Sequence, residues 1–563
     1  CNESVSENED EVDDIEDAEL DEVSNSSDTE TENDVSNSDS GLVKYVAKIG
    51  RLYVSEPPRP TRRTMANIVR GKPGLREAGK VTEIYESFQK FFTDEVVTKI
   101  VQHTNEEANR KGITETCFAE IIAFLGVLIL MGANNDNCLD FHDLWSNELG
   151  RSVYIATMSR NRFSELLRII RFDDKNTRDA RRVNDKFAPL REVFQLLNNL
   201  LPKYCIAGKD TTVDEMLSLF RGKCPFKVFL KEKPGKYGML VRILADCEYR
   251  YVHSMEVYAG KDGTTPESRG PREVVKRLIA PIKNTGRNVT TDRYYTSVEL
   301  AEDLYSDYNT TLVGTMRNNR KHIPEELKTT TGRDLYSSKF AFTDPASQKP
   351  TVTLVSYIPK PKRNLIMLSS QHHDAKVMEE GKKKSDINLY YNATKGSVDT
   401  IDQMARKYTT KRSTQRWPLS MFYTLIDIAC INAYTLYILN FPEWNKTKNS
   451  RRRLYLQQLG LQLIKPNVKR RTENLVGLQH NVVSSMEAVL GKKIVQQTQK
   501  LKSPSGKGRC HVCSKECRSK KDKLNKLPKT TIICNKCDSY VCGKHSQKEN
   551  TCNMCLNEVD DSD

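Results

Sequence analysis

Four aspartates stand in surroundings that make a carboxylate expensive. Asp214 ends the run TTV, Asp292 ends NVTT, and Asp399 and Asp402 lie three apart in GSVDTIDQM. Each follows or faces apolar, strand-like or helical sequence, where an unpaired charge is strongly disfavoured. If GSVDTIDQM is helical, Asp399 and Asp402 share a face. Carboxylates from two strand ends and a helix supply the oxygen ligands that a pair of Mg2+ ions takes. Such a pair activates an attacking water or 3′-hydroxyl and stabilises the leaving oxygen of an in-line phosphodiester displacement. Asp246 in LADCEYR also follows a strand-like run and reads as a turn residue.

A second group lies near the C-terminal end. Cys510 and Cys513, Cys534 and Cys537, Cys542 and His545, and Cys552 and Cys555 form four pairs, each with two intervening residues. Two residues between ligands let one knuckle offer both to a tetrahedral Zn2+, so eight ligands make two structural sites. Interleaved and consecutive pairings are both open at this point, with Cys517 and His511 left over. A third group combines charge with a ring: Lys411, Arg412 and Arg416 flank Trp417, which suits a groove where phosphates are neutralised and a base stacks. Trp417, followed by Pro418, equally suits an anchor for the apolar helix after it.

The elements that must position these residues follow from periodicity. YESFQKFFTDEVVTKIVQHTN, ETCFAEIIAFLGVLILMGA, SRNRFSELLRIIRFDD and FAPLREVFQLLNNLL repeat apolar residues at three- and four-residue spacing, with a helix start at Thr93. Near Thr211 the period shortens. TTVDEMLSLF, GMLVRILADCEYRYVHSMEVYAG and RNVTTDRYYTS predict strands, the second a hairpin turning near Cys247. VELAEDLYSDY reads as a helix and TLVGTMR as another strand. Together they make an α/β unit, a mixed sheet with flanking helices. TVTLVSYIPKPKRNLIMLSS suggests a hairpin inside an insertion, and helical pattern returns from GSVDTIDQMARKY onward.

The 563 residues carry 88 Lys and Arg against 74 Asp and Glu. Residues 1–40 hold 17 of the acidic side chains and no basic one, which leaves 88 basic against 57 acidic in the remainder. A body that basic points to a polyanion partner. The acidic stretch is too polar to bury a core. The longest uncharged apolar run, Ile121 to Ala133, has 13 residues, short of the ~20 that span a bilayer, so it reads as a buried helix and no membrane partner is expected. No basic and apolar leader opens the sequence given, and scattered thiols beside one dense cluster fit a reducing compartment.

The words around the aspartates carry a resemblance. TTVDEMLSLFRGKCPFKVFLKEKPGKYG, RNVTTDRYYTSVELAEDL, VGTMRNNRKHIP, YYNATKGSVDTIDQM and RWPLSMFYTLIDIACINAY closely resemble the piggyBac family of DNA transposases, in order from about Phe88 to Cys555. The resemblance implies an RNase H-like catalytic core interrupted by an insertion domain. An all-α dimerisation and DNA-binding domain flanks that core, followed by a cross-braced, RING- or PHD-like zinc domain. Its order would be a disordered acidic tail and basic arm at 1–75, helical domain at 76–209 and 410–490, catalytic core at 210–320 and 386–409, insertion at 321–385, linker at 491–509 and zinc domain at 510–555.

By the same resemblance Asp214, Asp292 and Asp399 are the catalytic Mg2+ ligands and Asp402 a supporting acid. Arg317 and Arg320 serve DNA joining. Cys510, Cys513, Cys542 and His545 hold one zinc, and Cys534, Cys537, Cys552 and Cys555 the other. The activity implied is cut-and-paste transposition: nicking, hairpin formation at the transposon ends, and joining into TTAA sites. Its partners are double-stranded DNA with terminal inverted repeats and a second copy of the chain, with no small-molecule substrate. The nucleus is the expected compartment, with Lys469-Arg-Arg or the segment 518–529 as import signal. The rivals are a domesticated DNA- or chromatin-binding protein and, from the zinc module alone, ubiquitin transfer or histone-tail reading.

Overall fold

The computed structural model describes residues 43–58, 68–260 and 270–494, apart from single positions 147, 232, 234 and 348, together with 506–516, 527, 529–534, 537 and 539–546. The chain divides into two compact units after Lys492.

An eleven-stranded mixed sheet organises the first unit. Its strands are β1 (Lys44–Val46), β2 (Leu52–Val54), β3 (Asp210–Leu219), β4 (Val228–Phe229), β5 (Tyr237–Asp246), β6 (Val252–Val257), β7 (Asn288–Thr291), β8 (Thr311–Met316), β9 (Ser338–Thr343), β10 (Thr353–Lys360) and β11 (Arg363–Ser369). They lie in the order β1-β2-β9-β10-β11-β8-β7-β3-β5-β4, with β6 also paired to β5. Only β3, β7 and β8 run parallel to one another. These central strands are β-branched and buried on both faces, as helices on either side require.

On one face Val213, Val289 and Leu312 pack with the helix Pro271–Leu278 and the helix that joins β7 to β8, Val298–Tyr308. The other face is covered by helices from two distant stretches of chain. The first stretch supplies α1 (Asp94–Arg110), α2 (Phe118–Asn134), α3 (Arg160–Ile169) and α4 (Ala188–Leu200). The second supplies α5 (Asp386–Thr394), α6 (Ser397–Lys407), α7 (Trp417–Asn440) and α8 (Arg451–Thr472). Thr93 caps α1 by accepting from the Val96 N–H. Helix α2 contains the apolar run noted above and is buried throughout its centre. It meets α8 closely because Gly126 faces Gly460: a Cβ on Gly126 would stand 2.9 Å from the Leu463 Cβ. Helix α7 is long and apolar enough to cross a membrane, but most of it is buried in the protein core.

Three expectations about segment boundaries change. Residues 44–54 fall in the stretch 1–75 expected to be disordered tail and arm, yet they form a hairpin whose β2 pairs with β9. Tyr53 anchors it, fully buried, with its hydroxyl donating to the His322 carbonyl at 3.1 Å. Residues 321–385 do not form a separate body; β9, β10 and β11 extend the same sheet by antiparallel pairing onto β8. The helical stretches share one apolar cluster with Met216, Val241 and Ile243 of the sheet, so they are a layer of the core. The acidic stretch 1–40 lies outside the described residues.

Candidate active site and metal centre

Strand register brings the first two aspartates together. Parallel pairing of β3 with β7 matches Asp210 to Asn288 and ends at Val213 opposite Thr291, so the next residues are Asp214 and Asp292. Neighbouring strands lie about 4.8 Å apart, and partners in a parallel pair point the same way. Period two then fixes which way. Val213 and Val289 enter the core on the side of Val298–Tyr308, whereas Thr212 and Thr290 reach toward α5. Asp214 and Asp292 therefore face α5 and α6. Asp292 also accepts backbone N–H bonds from Tyr294 at 3.0 Å and Tyr295 at 3.3 Å, which fix its carboxylate at the turn after β7. Gly314 in β8 keeps that turn close, since a Cβ there would meet the Thr291 carbonyl oxygen at 2.5 Å.

A threonine clasp positions the third aspartate. The Thr212 hydroxyl donates to the Thr394 carbonyl at 2.6 Å, and the Thr290 hydroxyl bonds the Thr394 hydroxyl at 2.7 Å. Thr394 ends α5, so both bonds pin the α5–α6 junction onto the strands that carry Asp214 and Asp292. Helix α6 begins three residues later with Asp399 in its first turn, where the helix dipole favours negative charge. Val398 and Ile401 bury against the core and turn Asp399 outward, 66% exposed. Asp402, one turn on, is 15% exposed and ion-paired with Arg406 at 2.6 Å.

The electrostatics mark Asp214 as the strained member. Burial, reinforced by the facing charges of Asp292 and Asp399, pushes its carboxyl up to about 7. Lys233, from the loop between β4 and β5, opposes that shift and lies 3.6 Å from the Asp399 carboxylate. Burial also raises Asp402 against the pull of Arg406. Asp246 has a different surrounding. Its carboxylate accepts from the backbone N–H groups of Gly208, Glu248 and Tyr249, which makes it the turn residue expected between β5 and β6.

The expected DNA-facing residues divide. Arg317 is exposed just beyond β8 and lies over the Tyr294 ring, beside the Asp292 turn, with 5.8 Å to the ring centre. Arg320 is half-buried, and its Nε has no hydrogen-bond partner among the described residues. Lys411 lines a groove of about 560 Å3 with Arg221 and Gln415; burial lowers its amine to about 8 and its Nζ donates to the Leu219 carbonyl.

Arg412, Arg416 and Trp417 are held by the protein's own packing, which corrects the expectation of freely exposed groove residues, although Arg412 also borders the groove of Lys411. Arg412 is buried and donates to the carbonyls of Asp136 at 2.9 Å and Leu139 at 2.7 Å, beyond the end of α2. Arg416 donates to Leu167 at 3.0 Å and to Ile170, capping the carbonyls that end α3. Helix ends leave such carbonyls without partners, and a guanidinium satisfies two at once. Trp417 is 8% exposed, packed between Phe187 and Phe226. Trp417→Ala is therefore expected to cost about 3–5 kcal/mol of stability, read from denaturant unfolding. Arg416→Ala is expected to destabilise while leaving the salt dependence of DNA binding unchanged; a slope shallower by about one would instead make it a phosphate contact. In the candidate import signal Lys469-Arg-Arg, Arg471 donates to the Ile155 carbonyl at 3.0 Å, whereas Lys469 and Arg470 are exposed.

In the second unit, Cys510, Cys513, Cys542 and His545 place their ligand atoms within 4.8 Å of one another. The Cys513 Sγ is 3.2 Å from the His545 Nδ1 and 3.8 Å from the Cys542 Sγ. The first pair thus converges with the third, which excludes consecutive pairing for these ligands. Three thiolates and an imidazole form a closed set suited to a structural Zn2+. Cys534 is buried and Cys537 exposed, while Cys552, Cys555 and Cys517 lie outside the described residues.

The family model described as Transposase IS4 matches residues 84–434, a span that contains all four aspartates. The solved chain titled "Cryo-EM structure of piggyBac transposase synaptic complex with hairpin DNA (SNHP)" superposes with a TM-score of 0.73 at 31% identity, covering 86% of this chain and 100% of that one. The chain belongs to the piggyBac family of transposases. PiggyBac transposable element-derived protein 3 of Homo sapiens is 23% identical over 428 residues, 68% of this chain and 69% of that protein. The Homo sapiens chimeric ERCC6-PGBD3 protein matches at the same identity over 38% of its own length. Sequence reasoning missed two parts of this piggyBac-family site. Lys233 sits in a basic word that gives no sign of returning to Asp399, and Thr394 is one threonine among many until register places it under the aspartates.

Proposed function

We propose that this chain is a cut-and-paste DNA transposase with an RNase H-like, DDD-type core. Asp214, Asp292 and Asp399 would hold two Mg2+ ions, with Asp402 in support. The donor set fits the ions: oxygen ligands alone, and a carboxyl at Asp214 whose charge the site's own residues leave undercompensated. When bound, such ions supply Lewis acidity for in-line displacement at phosphorus. The chain's own residues do the rest. The Thr212–Thr394–Thr290 clasp holds the carboxylates in place, the Tyr294 and Tyr295 N–H groups orient Asp292, and Arg317 and Arg320 grip phosphate beside it. The reading extends to nicking of the transposon ends, hairpin formation, joining at TTAA, action as a homodimer in the nucleus, and Zn2+ in the C-terminal unit.

The observation that carries this proposal is the meeting of Asp214, in the middle of β3, with Asp292, just past the end of β7, and Asp399 on α6. It is tested by excision in cells of a reporter flanked by the gene's own inverted repeats. Precise repair to a single TTAA supports it; no excision by a nuclear, well-expressed protein turns the reading to its alternative, a transposable element-derived DNA-binding protein. The printed name of the human relative favours that alternative.

Asp214 also predicts a pH dependence. Its folded value of about 7 lies above the ordinary 3.8, so the folded protein holds a proton that the unfolded chain releases. Stability of the metal-free protein therefore falls as pH rises from about 4 to about 7, and a cation on the ionised carboxylate restores it. Mg2+ is expected to raise the melting temperature more at about pH 8 than at about pH 6. Equal increments at both would remove Asp214 from the ligand set.

A further inference from the structure

A basic, aromatic groove lies on the sheet face of the aspartates, toward the start of β5, and has no part in the chemistry above. It holds about 610 Å3 and is lined by Arg221, Lys227, Gly235, Lys236 and Tyr237. Phe229 and Tyr237 are register partners across the β4–β5 pair, with ring centres 4.9 Å apart. They stay 54% and 43% exposed at the sheet edge. Lys227 lies over the Tyr237 ring, 5.8 Å from its centre. Between Arg221 and Lys236, both included, the chain carries six Lys and Arg against the single acidic Glu232.

The groove shares the face of the aspartates. Met239, Val241 and Ile243 point with Tyr237 by period two, and Ile243 is the register partner of Asp214. Six residues separate Tyr237 from Ile243, about 20 Å along the strand. The loop that leaves Phe229 and returns at Tyr237 carries Lys233 to within 3.6 Å of Asp399. Lys233 thus ties the loop between the two exposed rings to the acidic cluster on the same face of the sheet.

Cations alone serve duplex DNA, whose base faces are hidden in the stack. Exposed rings beside cations offer stacking faces that the bases of an unpaired strand can use and those of a duplex cannot. We propose that this groove binds unpaired DNA, a single strand leaving the aspartates that lays its phosphates on Lys233, Lys236, Lys227 and Arg221 and stacks bases on Phe229 and Tyr237. The inference rests on the transposase reading and adds to it a subsite for the strand beyond the point of cleavage.

The test uses the full chain and fluorescence anisotropy at fixed salt. One probe is a labelled duplex with a six-nucleotide single-stranded extension, the length that spans about 20 Å at ~3.4 Å per nucleotide; the other is the same duplex, blunt-ended. Wild type is expected to prefer the extended probe by roughly tenfold. Phe229→Ala with Tyr237→Ala should remove that preference and leave blunt-duplex affinity within about twofold, because the cations remain. A double variant that keeps the preference, or a wild type that has none, overturns the groove's role. Quenching of 2-aminopurine in the extension by wild type provides a readout independent of any variant; an unquenched probe in the bound complex also overturns it. Failure of wild type to bind either probe overturns the transposase reading instead.

Discussion

Asp292→Asn is expected to reduce DNA nicking by roughly 10^3-fold or more while the protein stays folded and bound to DNA. The amide keeps what the fold needs from Asp292, since an Asn Oδ1 still accepts the Tyr294 and Tyr295 N–H bonds that shape the turn. It removes what the chemistry needs, a negative oxygen ligand beside Asp214. It also removes one of the two facing charges that raise the Asp214 carboxyl, so the melting temperature should hold or rise slightly. Single-turnover nicking of an end-containing duplex, anisotropy for binding and a thermal melt separate these effects. Residual nicking near wild type would displace Asp292 from the ligand set. Lost binding in a folded variant would make it a DNA contact instead.

Removing zinc is expected to unfold the C-terminal unit and leave the first unit intact. The buried apolar part of that unit among the described residues is Val512 and Val541 with Cys510 and Cys534, too little to hold a fold without cross-links. Structural zinc in such modules contributes about 10–16 kcal/mol of apparent binding free energy, most of the folding free energy available. Cys542→Ser should therefore expose the segment after Lys492 to protease, abolish the charge-transfer bands of the Co2+-loaded wild type, and leave the main melting transition in place. If this unit reads transposon ends, affinity for end DNA should fall by a similar route with chelator. A variant that resists protease as wild type does would show that the four ligands are not needed for the fold.

Several elements were legible before the structure. Alternation in TTVDEMLSLF and NVTT marks β3 and β7, and three- and four-residue spacing marks the long helices. The hairpin at 44–54 was missed: Leu52 and Val54 flank Tyr53, so the segment does not alternate apolar with polar, and its turn at Gly50, with a φ of +77°, was a weak local signal. The net charge and prolines of the neighbouring basic stretch obscured it. Arg412 and Arg416 were read as DNA contacts because a guanidinium suits a phosphate and a helix-end carbonyl equally well. Only the placement of α2 and α3 shows which one it meets.

By itself, then, the sequence determined the chemistry available. It showed carboxylates in strand-like and helical segments, although Asp214 lies within β3 and not at the strand end expected, with Cys and His pairs at two-residue spacing and a basic body, because side-chain type and local period are properties of short segments. Tertiary structure decided which groups meet. Asp214 faces Asp292 through a strand register closed over some 80 residues of chain, Lys233 returns to Asp399 by a loop, Asp246 is diverted to a turn, and Cys510 and Cys513 join Cys542 and His545 rather than their nearer neighbours. Such pairings are set by packing between distant segments, and spacing within a segment carries no information about them.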